Sequence, residues 1–260
     1  MGIKIEITKD ELPLKYKTFH LQETKDGATH SVYLLDNKYV LKIVENRTAE
    51  TILAEQKLLK DLERLCVPKI LDIYEYPNYT MVFYSQMKGK SSYNPNTLQI
   101  EQIALFLKKF HSISKNSSSS NQKIYEKNYF KDLIIQTNEP LFLEYFYSIN
   151  CKLKNDGVIH GDLFSDNAKF EDDELTGVFD FIEACEGDFL FELAVVTISW
   201  CFENNKLNTS KVKTLLDTYG LNINIKEFNE YIKYALLYYT TTRYLNNRNY
   251  KELLERLKSI

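Results

Sequence analysis

Short runs of alternating apolar and polar residues fill the first third of the chain, a pattern typical of half-buried β-strands. The predicted strands cover residues 17–23, 31–36, 38–45, 67–76 and 79–87. Ile52, Leu59 and Leu62 recur at helical spacing between the third and fourth strands, which predicts one helix there. Thr48 is its expected N-cap. Residues 1–87 are therefore expected to form a first lobe that is rich in strands.

The periodicity changes near Asn94 from that of strands to that of helices. The predicted helices cover residues 96–113, much of residues 132–154 and most of the chain from residue 188 onward. Residues 167–181 instead predict a β-hairpin that turns at Asp172 and Asp173. Residues 88–260 should then form a larger helical lobe. The pattern as a whole predicts an α+β fold of two lobes.

Composition excludes several classes of protein. The chain has 33 basic and 36 acidic residues in 260, a net charge of −3, so no nucleic-acid footprint is expected. Its four cysteines follow no disulfide framework, and the opening residues carry charge throughout, unlike a signal peptide. The longest apolar run, residues 189–202, is interrupted by Glu192 and is too short for a membrane span. We expect a cytoplasmic protein with no membrane contact and no obligatory protein partner.

The segment His160-Gly161-Asp162-Leu163-Phe164-Ser165-Asp166-Asn167 carries the candidate chemistry. Asp162 and Asn167 lie five residues apart, and Asp180 follows after a hairpin that can fold back on the loop. Phosphoryl transfer needs a carboxylate that orients the attacking hydroxyl and oxygen ligands for Mg²⁺. We therefore predict that Asp162 is the base or aligning group and that Asn167 and Asp180 are metal ligands. The alternative is a polar turn between buried strands.

This loop, followed by Phe179-Asp180-Phe181, resembles the catalytic core of the aminoglycoside phosphotransferase and choline kinase superfamily, distant relatives of the protein kinases. The resemblance implies a bilobal protein-kinase-like fold with a small antiparallel-sheet N-lobe, and it implies ATP and Mg²⁺ as cofactors. It also implies that His160 packs beneath the loop and supports it. Asp188 stands where a helix begins, so it is an expected N-cap, and by resemblance it also braces the loop.

The nucleotide-binding residues follow from the same resemblance. Lys42, amid apolar neighbours on a central strand, should bind phosphates and pair with a helix glutamate. Glu55 is preferred over Glu50 because it shares a helix face with apolar residues and a carboxylate there requires a cation. The alternative for Lys42 is simple reach toward solvent.

Two further segments complete the predicted nucleotide site. The turn of residues 25–31, with Gly27 and Ser31, should cover the phosphates although it lacks the glycine-rich motif of protein kinases. The linker between lobes should contact the adenine through main-chain atoms of Ser85 and Met87.

The phosphate acceptor is expected to be a small molecule, because only six residues separate Asp180 from Gly187 and leave no platform for a peptide. Residues 162–167, 175–181, 184–185 and 199–203 resemble phosphotransferase-type homoserine kinases. Glu192 departs from that pattern, which has an aspartate. Glu183 and Glu186 would attract an ammonium group on the acceptor if they face the cleft; the alternative is a solvated acidic loop.

Together these features predict an ATP- and Mg²⁺-dependent kinase of a small hydroxylated metabolite. Homoserine or a similar amino alcohol is the best specific prediction for the acceptor, and an aminoglycoside, choline or a sugar is the alternative. A nucleotide-binding module without catalysis is the competing class, since a fold alone does not guarantee activity. The intact set of Lys42, Asp162, Asn167 and Asp180 favours the enzyme.

Overall fold

The computed structural model describes residues 5–24, 30–45, 49–115, 117, 119, 121, 123 and 125–260. The predicted cap Thr48 and the turn residue Gly27 lie outside these residues.

A five-stranded sheet occupies the first third of the chain, as the alternating pattern predicted. Its strands are β1 (Leu21–Glu23), β2 (Ser31–Leu35), β3 (Tyr39–Val44), β4 (Ile70–Glu75) and β5 (Thr80–Ser85). The order is β1-β2-β3-β5-β4, and every neighbouring pair is antiparallel. The predicted helix α1 (Ala49–Asp61) follows β3. Lys42 lies opposite Val32 and Val82 on the central strand, so these three side chains share one face of the sheet.

The helical part begins after β5. Its helices are α2 (Thr97–Ser114), α3 (Lys127–Thr137), α4 (Pro140–Ser148), α5 (Phe189–Trp200), α6 (Thr209–Tyr219), α7 (Ile225–Leu245) and α8 (Lys251–Lys258). Three short antiparallel pairs join them: β6 (Gly157–Ile159) with β9 (Cys185–Gly187), β7 (Ala168–Glu171) with β8 (Glu174–Val178), and β10 (Phe202–Glu203) with β11 (Lys206–Leu207). The β7–β8 hairpin turns at Asp172 and Asp173, both with positive φ, as predicted.

The single long helix predicted over much of residues 132–154 is wrong in its continuity. Two helices, α3 and α4, stand in its place, and the chain is not helical from Ile149 to Asp156. Asn138 ends α3 in the left-handed conformation, and Pro140 then occupies the first turn of α4. Proline has no N–H to donate inside a helix but fits its first turn, so the pair forces a break.

One hydrophobic core joins the sheet-rich and helical parts. Val44, Ile52 and Val82 pack in the same cluster as Ile103 and Phe191. The opposite face of the sheet is covered by a smaller cluster that includes Leu12, Tyr16, Tyr33 and Leu35. The boundary predicted at residue 87 falls in the connection between β5 and α2.

Helix α5 is buried on nearly every side although it contains Glu192, whose side chain has no solvent exposure. In the parts of the chain that the structure describes, no helix combines the length and apolar character required to cross a bilayer.

Candidate active site

The loop between β6 and β7 holds two of the predicted site residues together. The Asn167 side-chain amide donates to the main-chain carbonyl of Asp162 at 2.7 Å and lies 3.4 Å from its carboxylate. A 3₁₀ turn over Ser165–Asn167 sets the spacing, and the Asn167 N–H donates to the Phe164 carbonyl at 3.0 Å. Because the amide nitrogen of Asn167 is used in this way, its side-chain oxygen is the atom that remains for another ligand.

Asp180 enters the same site from the end of β8. Its backbone is left-handed, with φ of 71°, which turns the chain sharply before the 3₁₀ turn Phe181–Glu183. Its carboxylate binds the Lys42 ammonium group at 2.5 Å, across 138 positions of sequence. Lys42, Asp162, Asn167 and Asp180 all line one cleft, with a cavity volume of about 380 Å³. The structure therefore brings the four residues together.

Charge in the cleft is unevenly balanced. Burial alone would lower the pKa of Lys42, but the Asp180 and Glu55 carboxylates raise it above its usual value. The same burial opposes ionisation of Asp180, and its contact with Lys42 nevertheless lowers the pKa of Asp180. The pKa of Asp162 is instead raised well above its usual value, by burial and then by the nearby charges of Asp180, Asp166 and Glu183. Asp162 thus lies among carboxylates whose negative charge a bound cation would offset.

Glu55 is buried next to Lys42, whereas Glu50 is exposed. The Tyr84 hydroxyl donates to the Glu55 carboxylate at 2.8 Å, and the closest charged contact of Lys42 is with Asp180. Burial raises the pKa of Glu55 to about 7, although the Lys42 charge and the Tyr84 hydrogen bond lower it. Of the two glutamates, only Glu55 is placed to act with Lys42.

The raised pKa of Glu55 predicts a pH-dependent stability difference for Glu55→Gln. A carboxyl group with a folded pKa of about 7 and an ordinary unfolded pKa binds more protons in the folded state between those values, so wild-type stability falls as pH rises from about 4.5 to 7. Glutamine does not titrate. The unfolding free energy of the variant relative to wild type should therefore rise by up to about 3 kcal/mol over this range. Urea denaturation at pH 5, 6, 7 and 8 measures it.

Glu50→Gln is the matched control, because Glu50 lies on the same helix and is exposed. Its stability difference from wild type should change little above pH 5. A Glu55→Gln difference that is also flat with pH would contradict the buried, high-pKa carboxyl group.

His160 supports the loop from below, as expected from the resemblance. It is fully buried, its Nδ1 accepts from the Asp162 N–H at 3.2 Å, and its Nε2 lies 2.9 Å from the Phe179 carbonyl. With Nδ1 accepting, Nε2 carries the proton and donates to Phe179. His160 thereby links the residue before Asp180 to the backbone of Asp162.

The predicted loop-bracing role of Asp188 needs correction. Asp188 caps α5 by accepting from the N–H groups of Leu190 and Phe191. Its second oxygen accepts from the main-chain N–H of Lys154. The carboxylate that bonds the catalytic loop is Glu192, one turn into α5. It accepts from the His160 N–H at 2.6 Å and from the Gly161 N–H at 3.0 Å. A lone acidic residue in an otherwise apolar helix was the sequence signal for this role.

Two tyrosines that the sequence did not single out fix the same loop. The hydroxyl groups of Tyr125 and Tyr239 both donate to the Gly161 carbonyl, at 2.6 Å for Tyr125. Gly161 has φ of 78°, and a Cβ atom there would collide with the Tyr125 hydroxyl. The peptide that precedes Asp162 is therefore held on both its N–H and C=O sides.

The predicted nucleotide residues lie partly in the cleft. Ser85 and Met87 line it, although the Ser85 N–H already donates to the Lys69 carbonyl. Ser31 does not line it: its side chain is buried on the opposite face of the sheet, and its hydroxyl accepts from the Ile5 N–H at 3.0 Å. Register places the side chain of Val32, not that of Ser31, toward the cleft. The prediction for this turn concerned its main-chain N–H groups, and it stays a prediction. Gly27 lies outside the described residues.

The two predicted acceptor residues separate. Glu183 is close enough to Asp162 to raise its pKa. Glu186 instead binds Lys123 at 2.8 Å and Asn155 at 3.0 Å, and these contacts lower its pKa. Neither glutamate is among the residues that line the cleft, and the carboxylate of Glu186 is bound by Lys123 and Asn155, so its predicted contact with the acceptor is corrected.

The donor set fits Mg²⁺. Among the described residues, no group of three His, Cys, Asp or Glu side chains is arranged to hold a metal ion by itself. Mg²⁺ needs fewer protein ligands than that, because it retains waters and binds substrate phosphates. Asn167 and Asp180 line the same cleft as Asp162, whose pKa is raised by the neighbouring carboxylates. A divalent cation bound there would offset the repulsion between the Asp162 and Asp180 carboxylates.

A family model matches most of the chain. The model described as the phosphotransferase enzyme family matches residues 20–208, which include the sheet, the catalytic loop and every residue that lines the cleft except Arg248. Homoserine kinases of Afipia carboxidovorans and Azorhizobium caulinodans are 43% and 48% identical over 65 and 64 residues. These alignments span 20% of each homoserine kinase, so this chain matches about a fifth of the length of those relatives.

Comparison with solved structures confirms the predicted kinase-like fold. The GDP complex of aminoglycoside 2'-phosphotransferase-IIIa has a TM-score of 0.64 and 16% identity, covering 92% of this chain and 91% of that chain. A macrolide 2'-phosphotransferase of Brachybacterium faecium has a TM-score of 0.62 and 14% identity, with the same coverage of 92% and 91%. ADP-bound aminoglycoside phosphotransferase APH(2'')-Ib has a TM-score of 0.61 and 18% identity, covering 92% of each chain.

Proposed function

Because this chain belongs to the phosphotransferase enzyme family, we propose that it is a kinase that transfers a phosphoryl group from ATP to a hydroxyl group of a small metabolite. The convergence of Lys42, Asp162, Asn167 and Asp180 on one cleft carries this proposal. Nothing in phosphoryl transfer requires a covalent protein intermediate, so alignment and charge neutralisation are sufficient.

Asp162 orients the acceptor hydroxyl and accepts its proton as the oxygen attacks phosphorus. Its raised pKa suits this role, because a carboxylate of ordinary pKa is a weak base near neutral pH. Asn167 holds the Asp162 main chain and side chain in place through its amide nitrogen. Removal of the hydroxyl proton and alignment of the oxygen are thus assigned to one fixed carboxylate.

Lys42 and Asp180 serve the phosphate side of the reaction. The Lys42 ammonium group binds phosphate oxygens, and Glu55 beneath it keeps the side chain directed into the cleft. Asn167 and Asp180 would hold Mg²⁺, which neutralises charge on the phosphates when it is bound. Ser85 and Met87 lie where the nucleobase would meet the connection between the two parts of the chain. Structural neighbours in GDP and ADP complexes support a nucleotide in this cleft.

The acceptor is proposed to be homoserine or a similar hydroxylated amine, supported by the partial matches to proteins named homoserine kinase. Aminoglycosides, choline and sugars are the alternatives, since structural neighbours include aminoglycoside kinases. The short connection from Asp180 to the next strand supports a small acceptor over a protein.

An ADP-release screen over amino acids, amino alcohols, sugars and aminoglycosides tests the function. We expect release of ADP from ATP that depends on both Mg²⁺ and the acceptor. A parallel assay supplies GTP as the phosphate donor and measures the release of GDP. A thermal-shift titration with Mg-ATP provides the second measurement. Stabilisation by Mg-ATP without turnover on any acceptor would support a nucleotide-binding module instead of an enzyme.

A further inference from the structure

Two arginines lie next to each other where helix α7 ends. Arg243 is in the last turn of α7, and the N–H of Arg248 donates to its carbonyl at 2.8 Å. Asn247 between them has a left-handed backbone, with φ of 52°, which turns the chain back. Arg248 lines the cleft together with Asp162, while the Arg243 guanidinium lies 5.6 Å from the centre of the Phe164 ring on the catalytic loop. The turn therefore places the Arg243 guanidinium group beside the loop that carries Asp162 and places Arg248 in the lining of the same cleft.

The other lysines that line the cleft belong to its nucleotide end. Lys42 binds Asp180, and the Lys169 ammonium group donates to the Met87 carbonyl at 3.3 Å. Arg248 is the arginine among the described residues that line the cleft, and it belongs to the helical part of the chain, after α7.

One end of the cleft is built around the catalytic loop. The Ser91 hydroxyl donates to the Asp166 carbonyl at 3.0 Å, which places Ser91 beside the part of that loop four residues beyond Asp162. Tyr93, 76% exposed, also lines the cleft and follows Ser91 by two residues. An acceptor hydroxyl directed at Asp162 would have the rest of its molecule at this end.

Charge at this end has two signs. The Asp166 carboxylate and the Arg248 guanidinium group both line the cleft, and the Arg243 guanidinium group lies beside the catalytic loop. A polycationic acceptor such as an aminoglycoside would meet two arginines here. A molecule with separate ammonium and carboxylate groups would instead find an opposite charge for each.

We propose that Arg248, supported by Arg243, binds a carboxylate of the phosphate acceptor, so that the acceptor class is a hydroxylated amino acid. A guanidinium group matches a carboxylate through two parallel N–H bonds, and a neutral or ammonium group cannot make that contact. This inference rests on the proposed kinase function and narrows its substrate. Arg248 is a specificity-determining residue in this proposal, and Asp162 retains the chemistry.

The test uses two acceptors that differ only in the carboxylate. Homoserine is compared with homoserinol (2-amino-1,4-butanediol), in which a hydroxymethyl group replaces the carboxylate. ADP release is measured with each compound for wild type, Arg248→Met and Arg248→Lys. We expect wild type to prefer homoserine in kcat/KM. Arg248→Met should raise the KM for homoserine about 10- to 100-fold, with little change in the KM for ATP or in turnover of homoserinol. The KM of Arg248→Lys for homoserine should lie between those of wild type and Arg248→Met. Lys251→Met, which removes an exposed cation from the start of α8, is the matched control and should behave as wild type.

Each other outcome overturns a different claim. Equal use of homoserine and homoserinol by wild type would overturn the carboxylate contact and leave the kinase intact. A rise in the KM for ATP in Arg248→Met, with the acceptor preference retained, would show that Arg248 binds nucleotide phosphate instead. Mg-ATP binding without turnover of either compound or of any acceptor in the wider screen would overturn the proposed function, and the acceptor inference with it.

Discussion

Replacing Asp162 with asparagine is expected to lower kcat by about 10²- to 10⁴-fold, the range that a positioned general base contributes. Asparagine has the same shape and cannot accept the hydroxyl proton. Its side-chain oxygen can still accept from Asn167, and the main-chain contact between the two residues does not involve the side chain of residue 162. The nucleotide KM should therefore stay within a few-fold of wild type.

The same substitution should not destabilise the fold. The carboxylate of Asp162 lies in the cleft near those of Asp180, Asp166 and Glu183, and its raised pKa indicates that ionisation is opposed there. Neutral asparagine removes this repulsion. We expect the melting temperature of Asp162→Asn to equal or exceed that of wild type at pH 8. Loss of activity together with retained or increased stability is the behaviour of a residue kept for function.

Asp172→Asn is the matched control for Asp162→Asn. Asp172 lies at the exposed tip of the β7–β8 hairpin with φ of 46°, a conformation that asparagine also adopts readily. Its activity and melting temperature should both match wild type. Turnover by Asp162→Asn at more than about a tenth of the wild-type rate would remove Asp162 from the role of base, because that role accounts for at least 10²-fold.

Local patterns in the sequence were sufficient for most of the architecture. Strand alternation predicted the five-stranded sheet, and the acidic pair at 172–173 predicted the hairpin that returns Asp180 to the loop. Asp162, Asn167 and Asp180 were identifiable because one loop and one hairpin determine their approach. The contact between Lys42 and Asp180 could not be predicted from local patterns alone, because it depends on how the sheet packs against the helical part.

The errors came from information that periodicity does not contain. Glu186 was close to Asp180 in sequence, and the β6–β9 pairing carries it toward Lys123. Strand pairing also decides that the Ser31 side chain lies on the far face of the sheet, while the contact predicted for its turn was through main-chain N–H groups. In both cases a register of one residue decides which face a side chain occupies.

The residue whose carboxylate holds the catalytic loop was the most important one that the sequence analysis did not identify. The resemblance assigned this role to Asp188, whose position before a helix predicted only an N-cap. Its oxygens accept from N–H groups at the start of α5 and from the Lys154 N–H. Glu192 projects from the next turn of α5 directly at the loop backbone. A glutamate has the length to reach two consecutive N–H groups, so the departure from aspartate noted in the sequence has a direct geometric consequence.

Glu192→Gln is expected to lose both stability and activity, unlike Asp162→Asn. Each carboxylate oxygen of Glu192 accepts one buried N–H, from His160 and from Gly161. Glutamine offers one oxygen and places its NH₂ group against the other N–H, which leaves a buried donor without an acceptor. The cost should be about 2–4 kcal/mol in the unfolding free energy. Displacement of the loop by a fraction of an ångström should lower kcat by about 10²-fold.

Urea denaturation and steady-state kinetics on the same preparations test Glu192→Gln, with Glu144→Gln on the exposed side of α4 as the matched control. Glu192→Asp retains two acceptor oxygens on a side chain shorter by one methylene, so its losses should be intermediate. Because the Asp162 carboxylate itself is unchanged, the surviving activity of both variants should retain the wild-type preference among acceptors. A Glu192→Gln enzyme with wild-type stability and kcat would mean that the catalytic loop holds its position without these two hydrogen bonds.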